Sequence, residues 1–550
     1  MEKEFNLIDE PWIRVLDNHC QIKEVSLMDV FMNAQEYVDL SGELPSQDVV
    51  ILRLLLAVLH TVFSRVDPEG EDSPLEEEDE AYERWQELWE FGRFPERPIR
   101  EYLETWKERF WLFHPERPFG QVAGLSYGTS YGASKLNGEL SESSNKVRLF
   151  SSYAGKEKEN LSFAQAARWL LYLNAYDDTS AKPSKEGKEI AKREGYQMES
   201  PGAGWLGKLG LITIKGENLF ETLMLNFVLV QVHRDDEIPQ MEKPIWEKEA
   251  FPTQERRKIN VPDNLSELYT LQSRRLSLKR AGNKVIGFWL LGGDFFEREE
   301  ALIEPMTVWR RDKTKKTEID VPKRHDRSKQ MWREFSNIYL GEKCREPGVL
   351  LWNKALMERE YLSENTILNT QIASVQYGDK DFFVNHIFSD ELSMQRSILL
   401  NAGRKWQTYI KDQIEACDAL AKETCNLARK IFLASGGDSE KAVDIMLKAK
   451  EQLYDRIDVP FRTWLCSIDP KDVEKEEQKK TEWMEEAKII AYDYADELVF
   501  EAGTTAHAGK MITLNIKGKE TKKHYSVPEA LIDFKLAVNK IYPKKKGGEP

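Results

Sequence analysis

Pro201-Gly202-Ala203-Gly204-Trp205-Leu206-Gly207-Lys208-Leu209-Gly210 is the stretch on which the fold class turns. It satisfies GxGxxG at Gly202, Gly204 and Gly207, and it nearly satisfies GxxxxGK from Gly202 through Lys208. In a dinucleotide fold a hydrophobic strand enters the first glycine and a helix leaves the last one, so that the phosphates sit on the helix N-terminus. Here Gly195-Tyr196-Gln197-Met198-Glu199-Ser200 precedes the string, which is no strand, and the strand-like Leu211-Ile212-Thr213-Ile214 follows it. A P-loop also needs Ser or Thr after the lysine to hold magnesium, and Leu209 stands there. Two readings remain for the residues themselves. One is a structural glycine turn. The other is a backbone loop that approaches a polyanion or a base edge, with no Cβ in the way and Lys208 supplying charge.

Outward from that loop the chain divides in character. Ahead of it, Val49 to Val62 is helical and apolar, with Leu52, Leu55, Leu56 and Leu59 in a stripe and Ser46 as the expected N-cap. Gly120 to Asn160 is rich in Gly, Ser and Asn and loses periodicity; a loop of that length is functional or disordered. Ser162 to Tyr176 is helical again, and Asp177 to Pro201 reads as loop. Leu276 to Leu278 and Val285 to Leu290 alternate with turns, as in antiparallel sheet. Beyond Asp390 the reading is almost purely helical: Met394 to Ala434, Ser439 to Ile457, Val473 to Glu501 and Val527 to Ile541, with breaks at Gly436-Gly437, Asp458-Val459-Pro460 and Gly503. The expected fold class is α+β, with a mixed α/β domain over 1–390 and a C-terminal four-helix bundle over 391–550.

A net charge of −15 argues at first against a nucleic-acid partner. The charge is segregated, however. Asp67 to Glu90 carries −11 of it, whereas Pro305 to Arg333, with Arg310 and Arg311 at its head, carries +6. Each block has a bland reading as a solvated face. The five cysteines show no CxxC spacing and the eight histidines no HxxxH or HxH pair, so neither a disulfide framework nor a metal site is expected. No cofactor, catalytic serine elbow or catalytic cysteine is expected either. The start Met1-Glu2-Lys3-Glu4-Phe5 lacks a secretory h-region and no run reaches 18 apolar residues, so a cytoplasmic protein with no membrane partner is expected. Phe150 stands at the end of the Gly/Ser loop beside Lys146 and Arg148, with Lys156 and Lys158 following. A ring among cations suits stacking on an unpaired base, or equally an anchor of the loop to the core.

Several strings together resemble one family. Phe5-Asn6-Leu7-Ile8-Asp9-Glu10-Pro11-Trp12-Ile13, Ala166-Ala167-Arg168-Trp169-Leu170-Leu171, Pro201-Gly202-Ala203-Gly204, Leu271-Gln272-Ser273-Arg274-Arg275-Leu276, and Glu304-Pro305-Met306 with Trp309-Arg310 are similar in order and spacing to the CasA family, the large subunit of the type I-E CRISPR surveillance complex, Cascade. The resemblance spans nearly the whole chain. It implies a mixed α/β domain with a four-helix bundle, and a non-catalytic subunit that recognises the protospacer-adjacent motif (PAM) in double-stranded DNA. Such a subunit aids duplex opening and recruits the helicase-nuclease.

The implied partners are the 5′ handle of the CRISPR RNA, the target duplex and the other Cascade subunits. The family's glycine loop, which reads the PAM from the minor groove, would fall at Gly202, Ala203, Gly204 and Trp205, with Lys208 adjoining. Its RNA-contacting loop would correspond to about Phe150 to Asn160, including Lys156 and Lys158. Its wedge hairpin would fall near Tyr377-Gly378-Asp379-Lys380-Asp381, with Gln371 and Gln376 upstream. Phosphate contacts are expected from Lys208, from the Arg310 to Arg333 block, with Arg310 and Arg311 at its head, and from Lys/Arg on the bundle. Two other readings stay open: a nucleotide-binding enzyme built on Gly202 to Lys208, and a purely structural scaffold.

Overall fold

The structure, a computed structural model, describes residues 2–142, 147, 151, 153–233, 237–238, 242–249, 254–313, 318–438, 440–516 and 519–543. Phe150, with Lys146 and Arg148, lies outside the described residues. The chain divides into two compact units. One comprises Met1–Lys329, Asn337–Leu362 and Asn369–Glu391; the other comprises Gln330–Ser336, Ser363–Leu368 and Leu392–Pro550.

The first unit is organised on the Pro45–Phe63 helix, in which all but two residues, Pro45 and Asp48, are buried. The helix is apolar all round because it is a core helix. It is long and apolar enough to cross a membrane by composition, yet 94% of that window is buried within the protein. Its start corrects the sequence expectation. Leu44 is the N-cap residue and Pro45 occupies the first turn, so Ser46 lies inside the helix and is buried. A fixed φ suits Pro at that position, where its missing N–H leaves nothing unpaired. Its two polar interruptions are absorbed differently. Burial holds His60 neutral by pushing it down to about 3, whereas Arg53 keeps its charge against Glu304.

That pair is fully enclosed, with side-chain exposures of 2% and 0%. Arg53 Nη1 and Nη2 donate to Glu304 Oε1 and Oε2 at 2.8 Å each. The same carboxylate accepts from Trp205 Nε1 at 2.9 Å and from the Met306 amide at 3.1 Å. The Arg53 guanidinium also lies 4.1 Å over the ring of Tyr269.

Sheets flank this core. The Arg274–Ala281 and Lys284–Gly292 strands form the antiparallel hairpin that alternation predicts, and Thr129–Gly132 adds a third strand at the Lys284–Gly292 edge. The Leu211–Lys215 strand pairs with Ile367–Tyr377, with Thr213 opposite Gln371, and Ile367–Tyr377 pairs in turn with Val384–Gln395. The stretch read as loop over Asp177 to Pro201 contains a helix, Lys185–Glu194. Ser184 caps it, accepting from the Gly187 amide at 2.8 Å, while Gly187 and Ala191 are its buried residues. So narrow an apolar stripe is easily missed in a lysine-rich segment.

The second unit has four long helices, Arg404–Ala434, Ala442–Cys466, Glu476–Phe500 and Val527–Ile541. Three boundaries differ from expectation. Met394 ends a strand instead of opening a helix, because Val384–Gln395 continues the sheet and the helix begins at Arg404. The expected break at Pro460 is not a break, since the helix runs through it. An interior proline loses a backbone hydrogen bond and costs about 3 kcal/mol. Burial of Phe461, Trp464 and Leu465 offsets it: Phe461 stacks on Trp332 at 4.3 Å, and Trp464 stacks on Trp483 at 5.4 Å. Finally, the Lys510–Ile516 and Lys519–Tyr525 strands form an antiparallel hairpin where only helix was expected. Ile512 and Tyr525 join the Leu433, Ala434 and Val527 cluster, which ties the hairpin base to the bundle.

Replacing Glu304 by Ala strands a buried guanidinium, so urea unfolding should show a loss of about 3–5 kcal/mol. The double change Arg53→Met with Glu304→Leu should lose much less than the sum of the two single changes, because no charge is left unpaired.

Candidate nucleic-acid interface

The glycine string is packed from below by the C-terminal end of the Phe163–Tyr176 helix. The Gly204 amide donates to the Asp177 carbonyl at 3.0 Å, and a Cβ on Gly204 would lie 2.3 Å from the Ala175 carbonyl oxygen. A Cβ on Gly207 would lie 2.1 Å from the hydroxyl of Tyr377, which itself donates to the Tyr176 carbonyl at 2.7 Å. Gly202 has φ +70°, a left-handed conformation that glycine adopts without penalty. Arg274 donates to its carbonyl at 3.0 Å. Trp205 opens a single 3₁₀ turn, Trp205–Lys208, and faces inward to Glu304, with its ring 4.4 Å from Phe296. Ala203, Gly204 and Trp205 are buried, so of the five loop residues expected at a DNA surface the ones that reach solvent are Gly202 and Lys208.

Lys208 is half-buried and donates to the Pro201 carbonyl at 3.1 Å. Burial, followed by the charges of Arg274, Arg298 and Arg324, pushes its ammonium down to about 8, with Asp381 acting the other way. Arg274 is itself locked to the Asp177 carboxylate at 2.6 Å. Lys208 thus sits beside arginine charges that oppose its own, two of them paired with carboxylates, Arg274 with Asp177 and Arg324 with Asp381.

Beside it stands the turn of the Ile367–Tyr377 and Val384–Gln395 hairpin. Gly378 is half-buried, Asp379 and Lys380 are exposed, and Phe382 is 43% exposed. Arg324 makes a bidentate bridge to Asp381 at 2.8 and 3.0 Å and lies 5.5 Å over the Tyr377 ring. The Thr179 hydroxyl donates to the Lys380 and Asp381 carbonyls at 3.1 and 3.2 Å. Tyr377 is the junction: its ring meets Arg324 and its hydroxyl fills the space that Gly207 leaves open. Thr179 and Phe382 escaped the sequence reading, Asp381 appeared there only as the last residue of the expected hairpin string, and Arg324 only as one cation of a block. Nothing local signals a pairing across 57 residues.

The remaining expected residues lie elsewhere. Arg310 and Arg311 sit on the Trp309–Asp312 strand, which pairs with Ile319–Pro322 and Cys344–Arg345. Arg310 is exposed, whereas Arg311 is engaged by Asp320 at 3.2 Å and Glu318 at 3.6 Å. Lys156 is exposed on the Gly155–Lys158 turn, and Lys158 is paired with buried Glu142 at 2.9 Å. Gln371 bonds Glu391 at 2.7 Å, and Gln376 is exposed. Among the described residues no group of three or more His, Cys, Asp or Glu is placed to hold a metal.

Gly207→Ala should destabilise the chain by about 1–3 kcal/mol, and by less in a Tyr377→Phe background, where the obstructing oxygen is gone; thermal melts of the four variants test this. The folded Lys208 holds its proton less tightly than an unfolded lysine at 10.5. Its charge therefore opposes folding fully below about pH 8, and the penalty fades as pH rises from there toward 10.5. Lys208→Met should accordingly raise stability at neutral pH and leave it unchanged at the alkaline end of that window.

The match to the family model of CRISPR-associated protein Cse1 covers residues 6–494. A CasA/Cse1 protein of Thermus thermophilus is 35% identical over 245 residues, which is 44% of this chain and 42% of that relative's length. The crystal structure of Thermobifida fusca Cse1 superposes with a TM-score of 0.79 at 26% identity, covering 98% of each chain. Cse1 of Acidimicrobium ferrooxidans gives 0.76 at 24% identity, over 99% of this chain and 100% of that one. A chain of a CRISPR RNA-guided surveillance complex shares the fold at a TM-score of 0.64 and 16% identity, over 90% of this chain and 100% of that one. The α+β expectation agrees with this fold. A family match over most of the sequence, joined to this structural agreement from end to end, makes the chain a member of the CRISPR-associated Cse1 (CasA) family.

Proposed function

We propose that this chain is the non-catalytic large subunit of a type I-E CRISPR RNA-guided surveillance complex, acting in the cytoplasm in antiviral defence. It recognises the PAM in double-stranded DNA, helps to open the duplex and recruits the helicase-nuclease. The observation that carries the reading is the joining of three features on one network. These are the Cβ-free backbone at Gly202, the cationic Lys208 with its arginine neighbours, and a protruding turn tied to the same loop through Tyr377 and Arg324. A narrow groove admits backbone more readily than bulky side chains, and cations beside it neutralise phosphate. An apolar ring at the tip, Phe382, suits partial unstacking of a base step. Exposed Lys156 supports a contact to the RNA 5′ handle beside the neighbouring subunits.

The nucleotide-enzyme alternative loses support from the same geometry. Lys208 ends one 3₁₀ turn and is followed by the Leu211–Lys215 strand, so a strand follows the glycines where a phosphate-binding turn would lead into a helix.

In a reconstituted complex, Gly202→Val and Lys208→Ala should each weaken binding to PAM-bearing duplex by about 10-fold or more, the scale of one lost charge-assisted contact. Binding to a target already single-stranded should change little. Gel shifts against matched duplex and single-stranded targets measure this; equal effects on both would contradict PAM reading, and no effect on either would favour a scaffold.

A further inference from the structure

The hairpin turn is held in a shape that its own sequence disfavours. Lys380, Asp381 and Phe383 have φ of +56°, +57° and +64°, a region that residues with a Cβ rarely occupy. Such a conformation persists only where surrounding contacts impose it. Backbone hydrogen bonds from the Gly378, Asp381 and Phe382 amides to the Phe383, Gly378 and Asp379 carbonyls close the turn. Two tethers fasten it from outside: the Arg324 fork on the Asp381 carboxylate, and Thr179, whose amide and hydroxyl reach the Asp381 carbonyl and whose hydroxyl also reaches that of Lys380. Both bridge partners are about a third exposed (34% and 32%), so solvent and ligands reach the bridge. Arg324 is also one of the cations whose charge is felt at Lys208. A guanidinium offers phosphate the same two parallel donors that it offers a carboxylate.

We infer that the Arg324–Asp381 bridge is a latch that positions the hairpin tip until DNA arrives. A duplex phosphate drawn to the Lys208 side competes with Asp381 for the two Arg324 donors. Once Arg324 transfers, the strained turn relaxes and Phe382 is free to move toward the base step beside the glycine loop. Arg324 and Asp381 are thus positioning residues, and the latch couples phosphate binding to duplex opening. The inference rests on the function proposed above.

The test uses the assembled complex with wild-type chain, Asp381→Asn or Thr179→Ala, and a duplex bearing 2-aminopurine next to the PAM. Affinity is read by gel shift and opening by stopped-flow fluorescence. Cutting either tether should speed opening about 1.5-fold to fivefold, the range of a partly exposed ion pair, with PAM-dependent affinity undiminished. A bridge that merely supported the structure would give the opposite sign. Opening at or below the wild-type rate, or weakened binding in either variant, overturns the latch. Loss of PAM dependence in the wild-type complex overturns the functional reading itself, and the two failures are therefore distinct.

Discussion

The carboxylate of Glu304 holds the first unit in register. It is fully buried and accepts four hydrogen bonds, two from Arg53, one from Trp205 and one from the Met306 amide. Removing two charges from water is expensive, and their attraction compensates only when every lone pair and proton is used. Both carboxylate oxygens accept two hydrogen bonds each here, and that is also what makes the arrangement specific. A shifted Pro45–Phe63 helix would strand Arg53, and a displaced glycine string would strand the Trp205 indole. The central helix, the segment around Glu304 and the glycine loop are thereby placed by one shared group.

From that anchor the site follows by close packing. Trp205 fixes one end of the 3₁₀ turn from inside, and the turn lifts Lys208 and Gly202 toward solvent. Gly204 and Gly207 are glycines for reasons internal to the protein, since a carbonyl and a tyrosine hydroxyl occupy the space that a Cβ would need. Only Gly202 combines left-handed backbone with partial exposure. A motif that reads in sequence as one glycine-rich surface thus divides into two packing glycines and one presented glycine. The acidic balance of the chain is concentrated in another segment, with −11 of its −15 in Asp67 to Glu90, whereas three arginines act on Lys208 with Asp381 opposing them.

Much of the fold was legible. Uniform apolar periodicity marked the Pro45–Phe63 helix, alternation marked the Arg274–Gly292 hairpin, and long amphipathic runs marked the bundle helices. The misreadings share a cause, which is a tertiary contact overriding a local preference. Pro460 stays helical because an aromatic layer encloses its neighbours, and the Lys510–Tyr525 hairpin forms where Ile512 and Tyr525 find the bundle core. At the site, the glycine string and Lys208 stood out because their residue types are unusual together. Arg324 and Thr179 did not, being ordinary polar residues in separate segments, and Asp381 was reached only as the end of the expected hairpin string.

The sequence by itself determined the family, the order of the α/β body and the bundle, and the absence of a nucleotide-binding βα turn at Gly202 to Lys208. These follow from local periodicity, residue order and the strand that comes after the glycines. Tertiary structure alone decided which loop residues face solvent, which cations gather at Lys208 and which arginine clasps the hairpin tip. Each of those depends on a distance between residues far apart in the chain, and neither spacing nor composition encodes such a distance.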